Sequence, residues 1–261
     1  MTSSNIFDLT GKVAAVIGGA SGIGEAVTIG AVGMGATVVC LDVKADAARA
    51  AAEKAGGHAT SGVVDITDAA SVDEALGAIV RQHGKLDIVI ATPSINVRKK
   101  MLDYLPGEID RVLNVNIIGN FNVLRSAGRI MVEQRRGSIV LFSSIRSLVV
   151  EPGQAVYSAT KAGILQLARG GACEFGPYGV RVNCVGPGVV ETPLTAPIKA
   201  NAAWYDAYAA KNTFNRWADP SEMVGPTLFL ASDAASYVNG TIIYADGGWL
   251  AQDGRFTPPG M

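Results

Sequence analysis

The 261-residue chain is poor in cysteine, histidine, aromatic residues and charge. Its three cysteines, Cys40, Cys173 and Cys184, are odd in number and far apart. They make neither a disulfide framework nor a metal motif; all three read as small buried hydrophobes, and a reducing cytoplasm is the expected location. The two histidines, His58 and His83, stand in polar stretches without ligand partners nearby, so no metal site is expected. Charge of one sign is not in excess either: 22 basic side chains face 23 acidic ones. That balance gives no electrostatic reason to expect nucleic acid or an anionic membrane as partner. Nor is there a long apolar run. The longest charge-free stretch spans 16 residues, Ala26 to Leu41, and is interrupted by Gly30, Gly33 and Gly35, where a membrane span needs ~20. Met1–Leu9 carries Asp8 and no basic segment, so no secretory signal is expected.

What remains is a chain that is 49% hydrophobic, with 31 glycines in no fixed period. It has the material for a large core and no linker, repeat or composition shift, so residues 1–261 read as a single domain. Short, Val- and Ile-rich runs at Val13–Ile17, Thr37–Leu41, Leu86–Ala91, Ser138–Phe142, Val180–Val185 and Thr241–Tyr244 read as buried strands. Unbroken rather than alternating apolar runs suit a parallel sheet covered on both faces. Between them, Ser71–His83 and Tyr157–Phe175 carry helical spacing, which predicts right-handed crossovers and a doubly wound α/β fold. Residues 191–217 hold Trp204, Tyr205, Tyr208, Phe214 and Trp217 between two strands. They form either a cap over a substrate site or a local aromatic core.

The first strand runs into Gly18-Gly19-Ala20-Ser21-Gly22-Ile23-Gly24 and then a helix. Glycines at 18, 22 and 24 permit a tight turn and close approach of backbone to a pyrophosphate, which the helix N-terminus attracts. Alone the triplet is weak, but it has a strand before it, a helix after it and an acid, Asp42, closing the next strand. A carboxylate there accepts from both ribose hydroxyls of NAD and repels a 2′-phosphate, and Ser21 offers no charge to that phosphate. The plainer alternative for Asp42 is a helix cap. Asp65-Ile66, closing the third strand, either holds the adenine edge or makes an ordinary turn.

Tyr157 and Lys161 are four residues apart and share one helix face, and Ser144 follows a strand thirteen residues earlier. A tyrosine is a poor base at neutral pH, with an unperturbed pKa of ~10. A cation about 4 Å away contributes roughly 4 kcal/mol at an effective dielectric near 20. Lys161 is therefore expected to bring Tyr157 into the working range, with Ser144 donating to the substrate oxygen.

With these segments and Asn114-Val115-Asn116, Arg181-Val182-Asn183, Pro187–Thr192 and Asp246-Gly247-Gly248, the chain resembles the short-chain dehydrogenase/reductase family. The resemblance implies a Rossmann-type sheet of about seven strands and nicotinamide-linked alcohol–ketone chemistry. It makes Asn116, Ser144, Tyr157 and Lys161 the catalytic set, with Asn116 holding a relay water. It also places Ala91, Tyr157, Lys161, Pro187, Gly188, Val190 and Thr192 beside the cofactor. Two segments depart from the pattern: Ala91-Thr92-Pro93-Ser94 replaces the usual Asn-Asn-Ala-Gly, and Ile17 the usual Thr.

Three functions compete. The leading expectation is an NAD-dependent dehydrogenase of a polar secondary alcohol. A 3-oxoacyl-carrier reductase would prefer NADP, which Asp42 disfavours. A non-catalytic nucleotide-sensing regulator would not need all four catalytic residues. Arg98 and Arg146 lie past strand ends near Ser144. They either meet a substrate carboxylate, as in gluconate-type members of the family, or are a solvated charge run and a surface residue. Residues 168–173 put small side chains on the 157–175 helix, and in the resembling family this helix packs on its symmetry mate, so a homotetramer is expected. The tail from Gly254 to Met261, with two prolines, is either a frayed end or an arm to a neighbour.

Overall fold

The computed structural model describes residues 5–252; the C-terminal tail lies outside the described residues. Seven strands form one sheet: β1 (Val13–Ile17), β2 (Thr37–Asp42), β3 (Ala59–Val63), β4 (Ile88–Ala91), β5 (Gly137–Phe142), β6 (Val180–Pro187) and β7 (Ile242–Ala245). Their order is β3-β2-β1-β4-β5-β6-β7, and every neighbouring pair is parallel. The helices are α1 (Gly22–Gly33), α2 (Ala45–Ala55), α3 (Ala69–His83), α4 (Glu108–Leu113), α5 (Asn120–Gln134), α6 (Ala155–Phe175), α7 (Ala196–Lys199), α8 (Ala202–Ala209) and α9 (Val224–Ala231).

Strand residues alternate between two cores, one on each face of the sheet. Ala15, Ile17, Val89, Ile139 and Val182 pack under α3, α5 and α6, through Leu76, Leu124 and Ile164. Ala14, Val16, Ile90, Val140 and Val185 pack under α1 and α9, through Val27 and Leu228. Burial on both faces explains why these strands show no polar alternation in the sequence. The edge strand β3 is the exception: Thr60, Ser61 and Val63 are exposed, and it ends at Val63, before Asp65. Other boundaries move by one or two residues from the sequence reading, and Leu86 falls just outside β4.

A third cluster lies beyond the C-terminal ends of β5 and β6, where Trp217, Tyr208, Ile198 and Trp249 pack with Ile145 and Val189. Tyr205 stacks flat on Trp217 at 4.9 Å, and Tyr208 meets Trp249 edge-on at 5.6 Å. Most aromatics of residues 191–217 therefore build a local core, though Phe214 is exposed. Cys173 also departs from expectation, since it is exposed on α6, whereas Cys40 and Cys184 are buried. His58 is exposed, and among the described residues no helix is long and apolar enough to cross a membrane.

Candidate active site

Strand order reverses between β1 and β4, and a parallel sheet opens a crevice at the C-terminal ends of its strands there. A cleft of about 880 Å³ occupies that position. Gly18, Ser21, Gly22, Ile23 and Gly24 form one wall. Gly18 and Gly22 have φ of +73° and +54°, a region that side chains avoid. A Cβ on Gly24 would overlap the Gly18 carbonyl oxygen, so the loop folds tightly onto the start of α1. The Ser21 side chain makes no bond to α1, which leaves first-turn N–H groups for an anion.

Asp42 closes β2 on the same wall. Its carboxylate accepts from the Ala20 and Lys44 N–H groups at 3.3 and 3.2 Å, which ties the strand end to the glycine loop. Asp65 and Ile66 also line the cleft. Asp65 is already engaged, accepting from the Thr67 N–H and hydroxyl at 2.9 and 2.7 Å, so the turn role is present whatever else it contacts. The opposite wall carries Pro187, Gly188, Val190 and Thr192. A Cβ on Gly188 would lie 2.7 Å from the Asp246 Cα, so only glycine lets the two segments approach. These features fit an extended dinucleotide: a phosphate-sized backbone cradle, an acid closing the neighbouring strand and an open channel between.

Ala91 is the exception among the cofactor residues. It is 1% exposed within the β4 core, and the cleft begins one residue later with Thr92, Pro93, Ser94 and Ile95. Thr92 answers the departure from the family pattern. Its hydroxyl donates to the Ile17 and Gly18 carbonyls, both at 3.1 Å, and braces the glycine loop against β4. Lys44, two residues past Asp42, lines the cleft as well and was not foreseen. The signal was present: a base just after the strand-closing acid, one position before α2.

Ser144, Tyr157 and Lys161 meet at the far end of this cleft. The Ser143 hydroxyl donates to the Lys161 carbonyl at 2.7 Å and locks the end of β5 to α6. Ser144 Oγ accepts from the Arg146 N–H at 3.1 Å, so its own proton is free to point elsewhere. Lys161 Nζ donates to the Phe142 carbonyl at 2.9 Å and sits 5.5 Å from the Tyr157 ring centre. Burial pushes the Lys161 ammonium down to about 7. The Tyr157 phenol is raised above its usual value by burial, against the opposing pull of Ser94 and Ser144 hydrogen bonds and the Arg98 and Arg146 charges. The guanidiniums of Arg98 and Arg146 thus add to the electrostatics around the phenol.

Asn116 lies outside the cleft wall and is 0% exposed. It sits in a wide helical turn, Asn114–Gly119, between α4 and α5. Its Oδ1 accepts from the Ile95 N–H and the Ser94 hydroxyl at 2.9 and 3.3 Å. Its Nδ2 donates to the Ile95 carbonyl and Thr160 Oγ1 at 2.9 and 3.0 Å. All four side-chain positions are taken by protein, so this amide clamps the segment after β4 to α6.

Arg146 is buried, whereas Arg98 is half-buried, and both are ion-paired. Both pair with Glu151, at 3.1 and 2.7 Å, and both approach the Tyr208 hydroxyl at 3.4 Å. Tyr208 comes from α8, so residues 191–217 reach the site as well as forming their own core. Lys99 pairs separately with Glu108 at 2.6 Å.

Comparison with known proteins agrees with this geometry. A family model described as enoyl-(acyl carrier protein) reductase matches residues 18–250. A 3-oxoacyl-(acyl-carrier-protein) reductase FabG from Thermotoga maritima is 35% identical over 92% of this chain and 98% of its own. The gluconate 5-dehydrogenase of Gluconobacter oxydans is 33% identical over 95% of this chain and 98% of its own. The chain belongs to the short-chain dehydrogenase/reductase family. A family structure, a gluconate 5-dehydrogenase from Burkholderia cenocepacia in complex with NADP and tartrate, superposes with a TM-score of 0.91 at 29% identity, over 95% of this chain and 98% of that one. The protein is accordingly an oxidoreductase of alcohol–ketone type that uses a nicotinamide cofactor.

Proposed function

We propose that this protein is an NAD-preferring dehydrogenase that oxidises a secondary alcohol of a sugar acid or a related hydroxy acid. The observation that carries the reading is the pair of guanidiniums, Arg98 and Arg146, sharing one carboxylate beside Tyr157 and Ser144. Two positive charges against one negative leave a net positive charge where the substrate must lie. A carboxylate answers it with charge-assisted, forked hydrogen bonds. A relative named for gluconate and a family structure holding tartrate support the same substrate class.

In this reading the glycine loop and the first turn of α1 hold the cofactor's phosphates. Asp42 accepts from the adenosine ribose hydroxyls, and residues 187–192 flank the nicotinamide. The bound cofactor supplies the hydride acceptor. Tyr157 takes the alcohol proton, and Ser144, oriented by the Arg146 N–H, donates to the substrate oxygen as negative charge grows there. Lys161, 5.5 Å from the Tyr157 ring centre, favours the phenolate together with Arg98 and Arg146, and the two guanidiniums orient the substrate acid. Asn116 acts as a positioning residue that fixes Ser94 and Ile95 against α6.

We assign the whole chain to one catalytic unit, with residues 191–217 as its cap, and place it in the cytoplasm as a homotetramer. Support for assembly comes from Gly170, which has open space around its Cα, and from Phe121 and Tyr178, exposed on the same side. Small-angle scattering at micromolar concentration should give a tetramer mass, and a monomer mass would contradict the assignment.

The test of substrate class is Arg98→Ala assayed on a hydroxy acid and on its uncharged alcohol analogue. One charge-assisted hydrogen bond contributes roughly 1.5–3 kcal/mol, about 10- to 150-fold in kcat/KM. The acid should suffer that loss and the analogue much less. Equal losses for both, or a best substrate that is uncharged, would refute the reading.

A further inference from the structure

Glu151 is the centre of the charged cluster at the substrate end. Its Oε2 accepts from Arg146 Nη2 at 2.7 Å. Its Oε1 accepts from Arg98 Nη1 at 3.1 Å and also from the Tyr208 hydroxyl and the Gln154 amide. Gln154 Oε1 in turn accepts from Asn96 Nδ2 at 3.0 Å, and the Lys99 N–H donates to the Gly153 carbonyl at 3.1 Å. Glu151 is thereby held by the segment after β4, by the turn before α6 and by α8 of the cap.

The two guanidiniums differ in what they can offer. Arg146 is 7% exposed and lies over the Tyr208 and Trp249 rings, at 5.9 and 5.5 Å from their centres. A guanidinium so buried needs a counter-charge, and Glu151 supplies it. Arg98 has a side chain 28% exposed and lies over Trp204 at 5.2 Å, and like Arg146 it bonds through only one guanidinium nitrogen. Among the described residues, no second carboxylate lies within 4 Å of either guanidinium. Lys99, the adjacent cation, is satisfied by Glu108.

We propose that Glu151 determines substrate specificity by charge: it cancels one of the two guanidiniums and leaves a single positive charge, which selects a carboxylate over both an uncharged and a doubly charged head group. With Glu151 in place, an uncharged head group leaves Arg98 unmatched. A phosphate ester brings its second negative charge up against the Glu151 carboxylate. A monocarboxylate balances the cluster. This rests on the acid-substrate reading above.

Three probes share a six-carbon polyol skeleton and differ in the head group: sorbitol, gluconate and sorbitol 6-phosphate. Their affinities are measured by calorimetry on the full-length protein loaded with reduced cofactor. The wild type should bind gluconate at least tenfold more tightly than either of the others. Glu151→Gln keeps the shape and removes the charge, and should raise phosphate affinity relative to gluconate by at least tenfold. Glu151→Asp, which keeps the charge, should stay near the wild-type ratio. An unmoved ratio in Glu151→Gln, including an equal loss for all three probes, overturns the role of Glu151 alone. So does a wild type that prefers the phosphate, a result available even if the variant does not fold. Sorbitol bound as tightly as gluconate, or no binding of any probe, overturns the acid-substrate reading itself.

Discussion

Replacing Asn116 by alanine separates a structural clamp from a proton relay. The side chain makes four hydrogen bonds, to Ile95 N–H and carbonyl, to Ser94 Oγ and to Thr160 Oγ1. At roughly 0.5–1.5 kcal/mol each they sum to about 2–6 kcal/mol. Ile95 and Ser94 are only half-buried, so water can replace part of the loss, and about 2–4 kcal/mol is the reasonable range. A domain of this size loses roughly 2–4 °C in Tm per kcal/mol, which gives a fall of roughly 4–16 °C by scanning calorimetry at fixed protein concentration. The loosened segment carries Ser94 and Ile95 in the cofactor cleft, so cofactor KM should rise together with the loss of Tm. A residue that only held a relay water would lower kcat and leave both quantities unchanged. A Tm drop under about 2 °C with kcat reduced tenfold or more would refute the clamp.

Cofactor choice rests on Asp42, so kcat/KM with NAD should exceed that with NADP, and Asp42→Ala should narrow the gap. Equal values in the wild type, or a preference for NADP, would refute the assignment.

Much of the fold was legible because burial on both sheet faces leaves an unmistakable mark, unbroken runs of Val and Ile between helical segments. The edge strand β3, with the sequence Ala59-Thr-Ser-Gly-Val63, has no such run, and its end was misplaced for that reason. The cleft was readable where a residue type has one use there, as with Gly18, Gly22, Gly24 and the strand-closing Asp42. It was not readable where the role depends on a partner distant in the chain. Nothing near Arg98 in sequence announces Glu151, 53 residues away, or Tyr208, 110 residues away. The electrostatics of Lys161 were also hidden, because spacing to Tyr157 reveals a shared helix face but not the depth of burial that brings the ammonium down to about 7. Asn116 was singled out through its motif, yet its clamp depends on where residues 94 and 95 run in space.

The central claim is that Tyr157 moves the substrate proton, and single-turnover hydride transfer, followed by cofactor absorbance across pH, tests it most directly. Oxidation needs the phenolate and reduction the phenol. Because burial raises the Tyr157 pKa, the wild-type oxidation rate should climb as pH rises toward that value, while the reduction rate falls. Tyr157→Phe should bind cofactor nearly as tightly as the wild type, lose hydride transfer by orders of magnitude and lose the pH dependence. A variant that keeps more than about a tenth of the wild-type rate with the same pH profile would contradict the account.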